Sequence, residues 1–525
     1  MKQLPIGIQS FPELINNDYL YIDKTQSIHD LVKPPKGYYF LSRPRRFGKS
    51  LLISTLEEIF NANTELFKGL WIAQSNYNWK KHPVIRIDFS KLNSQTVISL
   101  KTGLNLRIKE IAQNYGLDLS FNEEVDYNAY SLIKELCRIT KERVVILIDE
   151  YDSPIISNIN HPEVLDSNRE LLASFYRTIK GCDEHLRFVF LTGVSKFAKV
   201  SVFSGLNNLL DITLDSEFAT ILGYTQDELE KYFAPAIDEM LACSDQSRED
   251  LLETIRRWYN GYRFSKKDAK VYNPFSSLLL FKRRDFENYW FETGTPTFLL
   301  DLIKKHNYNV REFEGMKLGD EDFASYDTEH IPLISLLYNT GYITIDSVEK
   351  MPDMSYQYEM CYPNYEVRSA FLGSVAKHFT GYGKPINVYV DALRQAIAAE
   401  DVGLFIGTLQ TLFASIPYDL EPSSRQIKSE AHYQSILYAV LKVTGMQISA
   451  EERTNKGRVD LVIEGKEAIY LFEMKVDKPA SEAIEQIKKR GYAEKYRLSD
   501  KKLRLVGLSF SSAERNISQH QIEEI

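Results

Sequence analysis

Two groups of charged residues in this chain have the types and spacing to handle phosphate. The first is Phe47-Gly48-Lys49-Ser50 with Asp149-Glu150. A glycine turn that opens a helix aims backbone N–H groups and the positive end of the helix dipole at an anion. Lys49 would reach the terminal phosphates of ATP, and the Ser50 hydroxyl would bind Mg²⁺. Asp149 would hold the same ion through water, while Glu150 orients and deprotonates an attacking water. Arg43, Arg45 and Arg46 crowd the turn and could grip phosphate oxygens in pairs of hydrogen bonds. Equally, one of the arginines here could pair with Asp23 or Asp152 in a structural role. Arg43 stands where the general pattern GxxxxGKS has glycine, so the loop begins differently. Thr192, or Ser195 just after it, is placed to sense the γ-phosphate or the water. The expected nucleotide set is therefore Arg45, Arg46, Phe47, Gly48, Lys49, Ser50, Asp149 and Thr192, with Glu150 as the base.

The second group is Asp460, Glu473 and Lys475. Glu473 lies 13 residues beyond Asp460, with the turn Glu464-Gly465-Lys466-Glu467 between them. A hairpin centred on Lys466-Glu467 sets Asp460 opposite Glu473, and strand alternation puts Lys475 on the face of Glu473. Two carboxylates and the Met474 carbonyl would bind Mg²⁺, which lowers the pKa of a water and neutralises a scissile phosphodiester. Lys475 would position the nucleophile or stabilise the phosphorane. Glu430 is an outer metal ligand candidate. Gln486, on the helix after the hairpin, could orient the site, with Tyr492 near the same face. The bland reading is a solvated hairpin edge, but Phe472-Glu473-Met474-Lys475 sits in an apolar strand.

Elements must hold these groups in place. Apolar runs at Gly37–Leu41, Pro83–Phe89, Val144–Ile148 and Phe188–Thr192 read as strands. Helical patterns at Ser50–Phe60, Thr102–Tyr115 and Ser131–Ile139 lie between them. Strands alternating with helices predict a parallel sheet covered on both faces, with ligands at the C-terminal strand ends. The extra strand between the Lys49 and Asp149 segments, with Glu after Asp, marks the P-loop branch that hydrolyses ATP. Thr225 and Glu228 form a capping-box pattern opening a helix to Phe233. From there to about residue 400 the texture is mainly helical, aromatic-rich and without clean strand alternation. Beyond 405 an apolar helix (Tyr433–Leu441) precedes strands at Val459–Ile463 and Ile469–Met474, a charged helix over 480–496, and a strand at Leu503–Phe510. Arg263 is a speculative lid arginine, and a core or surface role suits it better.

The chain has 525 residues, enough for about three domains, with 44% hydrophobic and 26% charged residues. That composition excludes disorder as the dominant state. The net charge of −8 disfavours a nucleic-acid coat protein. Residues 421–525 differ, with 18 Lys/Arg against 16 Asp/Glu, so this tail alone does not repel a polyanion. Four cysteines at irregular gaps predict neither a disulfide framework nor a zinc site. With no signal peptide or membrane span visible, the expectation is a soluble, cytoplasmic protein.

Several stretches together resemble a bacterial and archaeal family. They are Tyr21-Ile22-Asp23-Lys24-Thr25, Ser42 through Ser50, Leu147 through Asp152, Thr192 through Lys196, Tyr259-Asn260-Gly261-Tyr262, Gly457-Arg458-Val459-Asp460 and Phe472 through Lys475. That family joins an AAA-ATPase-like N-terminal domain to a C-terminal PD-(D/E)XK nuclease-like domain. The resemblance implies a P-loop NTPase sheet domain of the AAA type over 1–235 and a helical lid or coupling region over 236–404. It implies a restriction-endonuclease-like α/β domain over 405–525. ATP and Mg²⁺ are the expected cofactors, DNA or RNA the expected partner, with homo-oligomers possible and no membrane. The expected function is ATP hydrolysis coupled to Mg²⁺-dependent nucleic-acid cleavage. The alternative is a nucleotide-controlled switch whose C-terminal domain binds without cutting. A P-loop kinase is disfavoured by Glu150 and by the appended domain.

Overall fold

The computed structural model describes residues 2–194, 206, 208–290, 299–300, 302–303, 308–323, 333–380, 386–416, 430–444, 448–454, 457–496 and 499–525. Ser195 lies outside them. The chain packs as two compact units, neither continuous in sequence. One is Met1–Trp290 with Lys317–Asn364, and the other is Phe291–Met316 with Tyr365–Ile525.

The first unit is built on a five-stranded, all-parallel sheet. Its strands are β1 (Gly37–Ser42), β2 (Val84–Asp88), β3 (Val144–Asp149), β4 (Leu186–Gly193) and β5 (Leu210–Asp211), in the order β2-β3-β4-β1-β5. Side chains alternate between two cores. Phe40, Ile87, Ile146 and Leu191 pack under the helices Val97–Asn114, Val125–Thr140 and Pro162–Gly181. Leu41, Val145, Leu147 and Phe190 pack on the opposite face with the helix Lys49–Phe60. A strand buried on both sides must be apolar at every position, which is why these runs are unbroken in the sequence.

A helical cluster follows. Its first helix, Gln226–Tyr232, carries the expected capping box between Thr225 and Glu228. The helices Arg248–Tyr259 and Pro274–Arg283 share its core. A two-stranded ribbon, β6 (Tyr262–Arg263) with β7 (Lys270–Val271), lies between those two helices in sequence. The same unit holds a three-stranded antiparallel sheet, where no strand pattern was expected. Its order is β8-β10-β9, with β8 Lys317–Leu318, β9 Thr344–Lys350 and β10 Tyr356–Cys361. β9 is buried only at its start and exposes charged residues thereafter, so its apolar signal is short.

The second unit has a five-stranded mixed sheet in sequential order: β11 (Ile448–Thr454), β12 (Gly457–Glu464), β13 (Ala468–Val476), β14 (Lys502–Ser511) and β15 (Asn516–Glu524). Only β13 and β14 run parallel. Their crossover is the helix Ala480–Lys489, whose Ile484 and Ile487 pack with Ile469, Leu471 and Leu505. Gly507 makes that packing possible. A Cβ there would meet the Ala480 carbonyl oxygen at 2.3 Å, so only glycine lets the helix lie this close to the strand. None of the four cysteines forms a disulfide. No helix among the described residues is long and apolar enough to cross a membrane.

Candidate functional site: a phosphate turn and a carboxylate pair

In the first unit, β1 ends at Ser42 and the chain turns into the helix Lys49–Phe60. Two residues in the turn take left-handed backbone angles, Arg46 (φ 67°) and Gly48 (φ 93°). The residue at position 43 is not one of them. Its side chain is buried and donates to the carbonyls of Ser42, Thr213 and Phe218. It also stacks on the Phe264 ring at 4.2 Å. Burial pulls the Arg43 guanidinium down to about 10. Arg43 is therefore a structural tie, made through backbone carbonyls. Asp23 instead caps Thr25 and the Trp71 N–H, and Asp152 accepts from the Val194 N–H.

Lys49 is buried, and its Nζ donates to the carbonyls of Arg43 (3.0 Å) and Pro44 (3.2 Å). It also lies 3.3 Å from Glu150 Oε1. Asp149, at the end of β3, is 1% exposed. Register places it one step beyond the Ile148–Leu191 pair, beside Thr192, whose hydroxyl donates to Asp149 Oδ1 at 2.6 Å. Asp149 Oδ2 is buried with no hydrogen-bond partner among the described residues. Glu150 holds a left-handed φ of 50° and turns the chain so that the Tyr151 N–H bonds the Thr192 carbonyl at 2.9 Å. Lys49, Asp149, Glu150 and Thr192 are thus brought together. Ser50 follows in the first helical turn and is half-buried.

The other residues of the expected nucleotide set take different postures. Arg45 is exposed, and its carbonyl accepts from Trp290 Nε1 at 3.1 Å. The Arg46 guanidinium lies 3.7 Å from the centre of the Phe275 ring. Phe47 is buried against Tyr262 and Phe264, at 4.8 and 5.4 Å between ring centres, so it could offer a phosphate only its backbone. Tyr262 of the Tyr259-Asn260-Gly261-Tyr262 stretch makes the first of these contacts. The chain passes so close to Pro363 that a Cβ on Gly261 would meet its carbonyl oxygen at 1.8 Å. An apolar pocket lined by Tyr21, Ile22, Leu51, Ile221 and Pro274 adjoins Gly48. Arg263 donates to the carbonyls of Ser265 and Asp346, a structural position.

In the second unit, β12 and β13 pair antiparallel from Glu464–Ile469 to Leu461–Phe472, and the next step sets Asp460 opposite Glu473. Asp460, Glu473 and Lys475 are all buried. Lys475 Nζ lies 3.3 Å from Glu473 Oε1 and donates to the Met474 carbonyl at 3.0 Å. Gln486 Nε2 donates to the same Glu473 oxygen. Glu473 Oε2 is buried and has no hydrogen-bond partner among the described residues. Burial, reinforced by Asp460 and opposed by Lys475, pushes the Glu473 carboxyl up to about 8. Glu430, the first residue of the helix Glu430–Val443, is partly exposed and sits 3.8 Å from Lys475 Nζ. Tyr492 is buried in the core beneath, and burial raises its hydroxyl pKa.

Two residues here had no signal in the sequence. Arg311 Nη1 and Gln434 Nε2 each donate to Asp460 Oδ1 at 3.2 Å. Arg311 lies 149 residues from its partner, in Val310-Arg311-Glu312-Phe313, a stretch with no motif spacing.

The donor sets suit Mg²⁺, a hard cation that prefers oxygen. Among the described residues Asp149 Oδ2 and Glu473 Oε2 are buried acceptors without donors, an arrangement that is costly unless a cation or proton meets it. Ser50 would complete the first set, and Asp460 with the Met474 carbonyl the second. Among the described residues no three or more His, Cys, Asp or Glu side chains are grouped to hold a metal, so neither set is a closed protein cage.

Residues 5–203 match the family described as predicted AAA-ATPase, and residues 428–520 match the PD-(D/E)XK nuclease superfamily. Over its whole length the chain is 37% identical to a protein of Azotobacter chroococcum mcd 1, "Uncharacterized protein in vnfD 5'region", of which it covers 99%. With both domain matches in place and a full-length relative at that identity, the chain belongs to the family that joins an AAA-ATPase-like N-terminal domain to a C-terminal PD-(D/E)XK nuclease-superfamily domain.

Proposed function

We propose that the protein hydrolyses ATP at the Lys49–Asp149–Glu150 site and cleaves phosphodiester bonds of DNA or RNA at the Asp460–Glu473–Lys475 site. One observation carries the reading: two carboxylates and a lysine converge within the β12–β13 strand pair, with one glutamate oxygen buried and without a hydrogen-bond partner among the described residues. When bound, Mg²⁺ supplies Lewis acidity and an acidified water in the second site and shields the triphosphate in the first.

The chain's own residues do the rest. At the nucleotide, the N–H groups after Gly48 cradle phosphate oxygens and Lys49 neutralises their charge. Thr192 keeps Asp149 in one orientation, and Glu150 takes the proton of the attacking water. The apolar pocket beside Gly48 suits the base. At the diester, Asp460 and Glu473 would hold the metal, Gln486 fixes the Glu473 carboxylate, and Lys475 steadies charge on the phosphoryl oxygens. A groove on the helix Ala480–Lys489 is lined by five basic side chains, Lys475, Lys478, Lys488, Lys489 and Arg490, against two acids. It suits a phosphate backbone. Coupling of the two reactions and a cytoplasmic setting belong to the same proposal.

The test is purified protein with plasmid, linear DNA and RNA, Mg²⁺, and ATP present or absent. Lys475→Ala and Glu150→Gln run in parallel. Cleavage lost only in Lys475→Ala means a nuclease that does not need hydrolysis, and loss in both means coupling. ATP turnover with no substrate cut would sink the nuclease half and leave the nucleotide-controlled switch.

A further inference from the structure

A carboxylate serves a metal through its lone pairs and its negative charge. On Asp460 one oxygen is filled, the other carries one donor, and the charge is already met by a cation. Its Oδ2 accepts the Met474 N–H at 2.8 Å, and its Oδ1 accepts both Arg311 Nη1 and Gln434 Nε2. The ion pair is enclosed, with the Arg311 side chain 5% exposed and that of Asp460 10%. A guanidinium does not lose its proton in proteins, so this is a permanent positive charge set against the aspartate.

The pair is held from outside. Arg311 rides on a short 3₁₀ turn, Val310–Phe313, capped by the Asn309 side chain, which accepts the Arg311 N–H at 3.2 Å. The turn is tied to the helix Glu430–Val443 by Val310 N–H to Ser435 Oγ at 3.3 Å and by Asn309 Nδ2 to Gln434 Oε1 at 3.4 Å. Gln434 therefore contacts the turn with its oxygen and Asp460 with its nitrogen. A shift of the turn would disturb the arginine and the glutamine together.

We propose that Arg311 and the divalent cation compete for Asp460, and that Arg311 passes to the scissile phosphate when the cation binds. The proposal rests on the nuclease reading of this site. Two positive charges would otherwise crowd one carboxylate, and the displaced guanidinium needs an anion that accepts paired hydrogen bonds. A phosphodiester is such an anion. Metal and nucleic acid then help each other to bind, because the cation releases Arg311 to the phosphate and the phosphate draws Arg311 away from Asp460.

The test uses full-length protein in an Asp149→Asn background, so that the N-terminal site contributes little, with Mn²⁺ binding followed by electron paramagnetic resonance. A Glu473→Gln sample identifies the binding that belongs to this site. The expected result is that Arg311→Gln tightens Glu473-dependent Mn²⁺ binding by about tenfold without nucleic acid. A phosphorothioate oligonucleotide should tighten Mn²⁺ binding in the Arg311 protein and have little effect in Arg311→Gln. Arg311→Lys, which keeps the charge and loses the fork, should fall between and serves if Arg311→Gln does not fold. Glu473-dependent binding that neither variant changes would overturn the proposal and leave the nuclease reading standing. No Glu473-dependent binding in any sample would sink both.

Discussion

The two carboxylate centres are assembled from similar parts and differ in one. Each has a strand acid with a buried oxygen that lacks a hydrogen-bond partner among the described residues, Asp149 Oδ2 in one and Glu473 Oε2 in the other. Each has a lysine 3.3 Å from a glutamate, Lys49 from Glu150 and Lys475 from Glu473. What steadies the aspartate is different. Asp149 is held by a neutral hydroxyl, that of Thr192, while Asp460 is held by a guanidinium. A hydroxyl orients a carboxylate and leaves its charge to be met by an incoming ion. A guanidinium has met that charge already. On the proposed reading the N-terminal centre receives its nucleotide and metal directly, whereas the C-terminal centre exchanges one cation for another.

The comparison can be broken in several places. The largest expected effect is Lys475→Ala, which should lower cleavage by about 10³-fold while ATP turnover stays within about twofold. Plasmid nicking and phosphate release on the same preparation check it, and a matching fall in turnover would erase the separation between the centres. Next, Glu150→Gln should cut ATP hydrolysis by about 10²-fold or more with binding of a fluorescent ATP analogue retained. Hydrolysis at the normal rate would place the base elsewhere. Thr192→Val keeps the volume and removes the donor to Asp149. Steady-state turnover should drop about tenfold, and no change would mean that the hydroxyl does not orient the aspartate. The smallest effect should come from Glu430→Gln. Its partly exposed contact with Lys475 at 3.8 Å predicts less than about a threefold change in cleavage. A loss as large as that of Lys475→Ala would put Glu430 among the metal ligands and sharpen the contrast with the N-terminal centre.

What could be read from sequence followed burial. β1, β3 and β4 are apolar at nearly every position because helices cover both faces, so their ends, and with them Asp149 and Thr192, could be located. The Asp460–Glu473 register followed from a short turn and strict alternation. β9 and β15 escaped notice because most of their side chains face solvent and carry polar groups, as in Asn516-Ile517-Ser518-Gln519-His520-Gln521. The sequence left the arginine-rich turn open between phosphate binding and structure. Position 43 was decided by three carbonyls brought together by folding, which no local pattern encodes. Arg311 was invisible for the same reason, since its partner lies in a strand far along the chain.

The threading of the chain bears on any attempt to isolate the C-terminal half. The polypeptide leaves the first unit at Trp290, contributes 291–316 to the second, returns for Lys317–Asn364, and crosses again at Tyr365. A fragment cut where the nuclease-superfamily match begins, at residue 428, discards the 3₁₀ turn that carries Arg311. It also discards the helix Val402–Ala414, whose Phe405 ring packs on Phe472 at 5.4 Å. Such a truncation would keep every acidic residue of the centre and yet present Asp460 without its counter-charge. Its metal affinity would be a property of the excision, and a transplant of this half onto another protein would need both stretches of chain to reproduce the native centre.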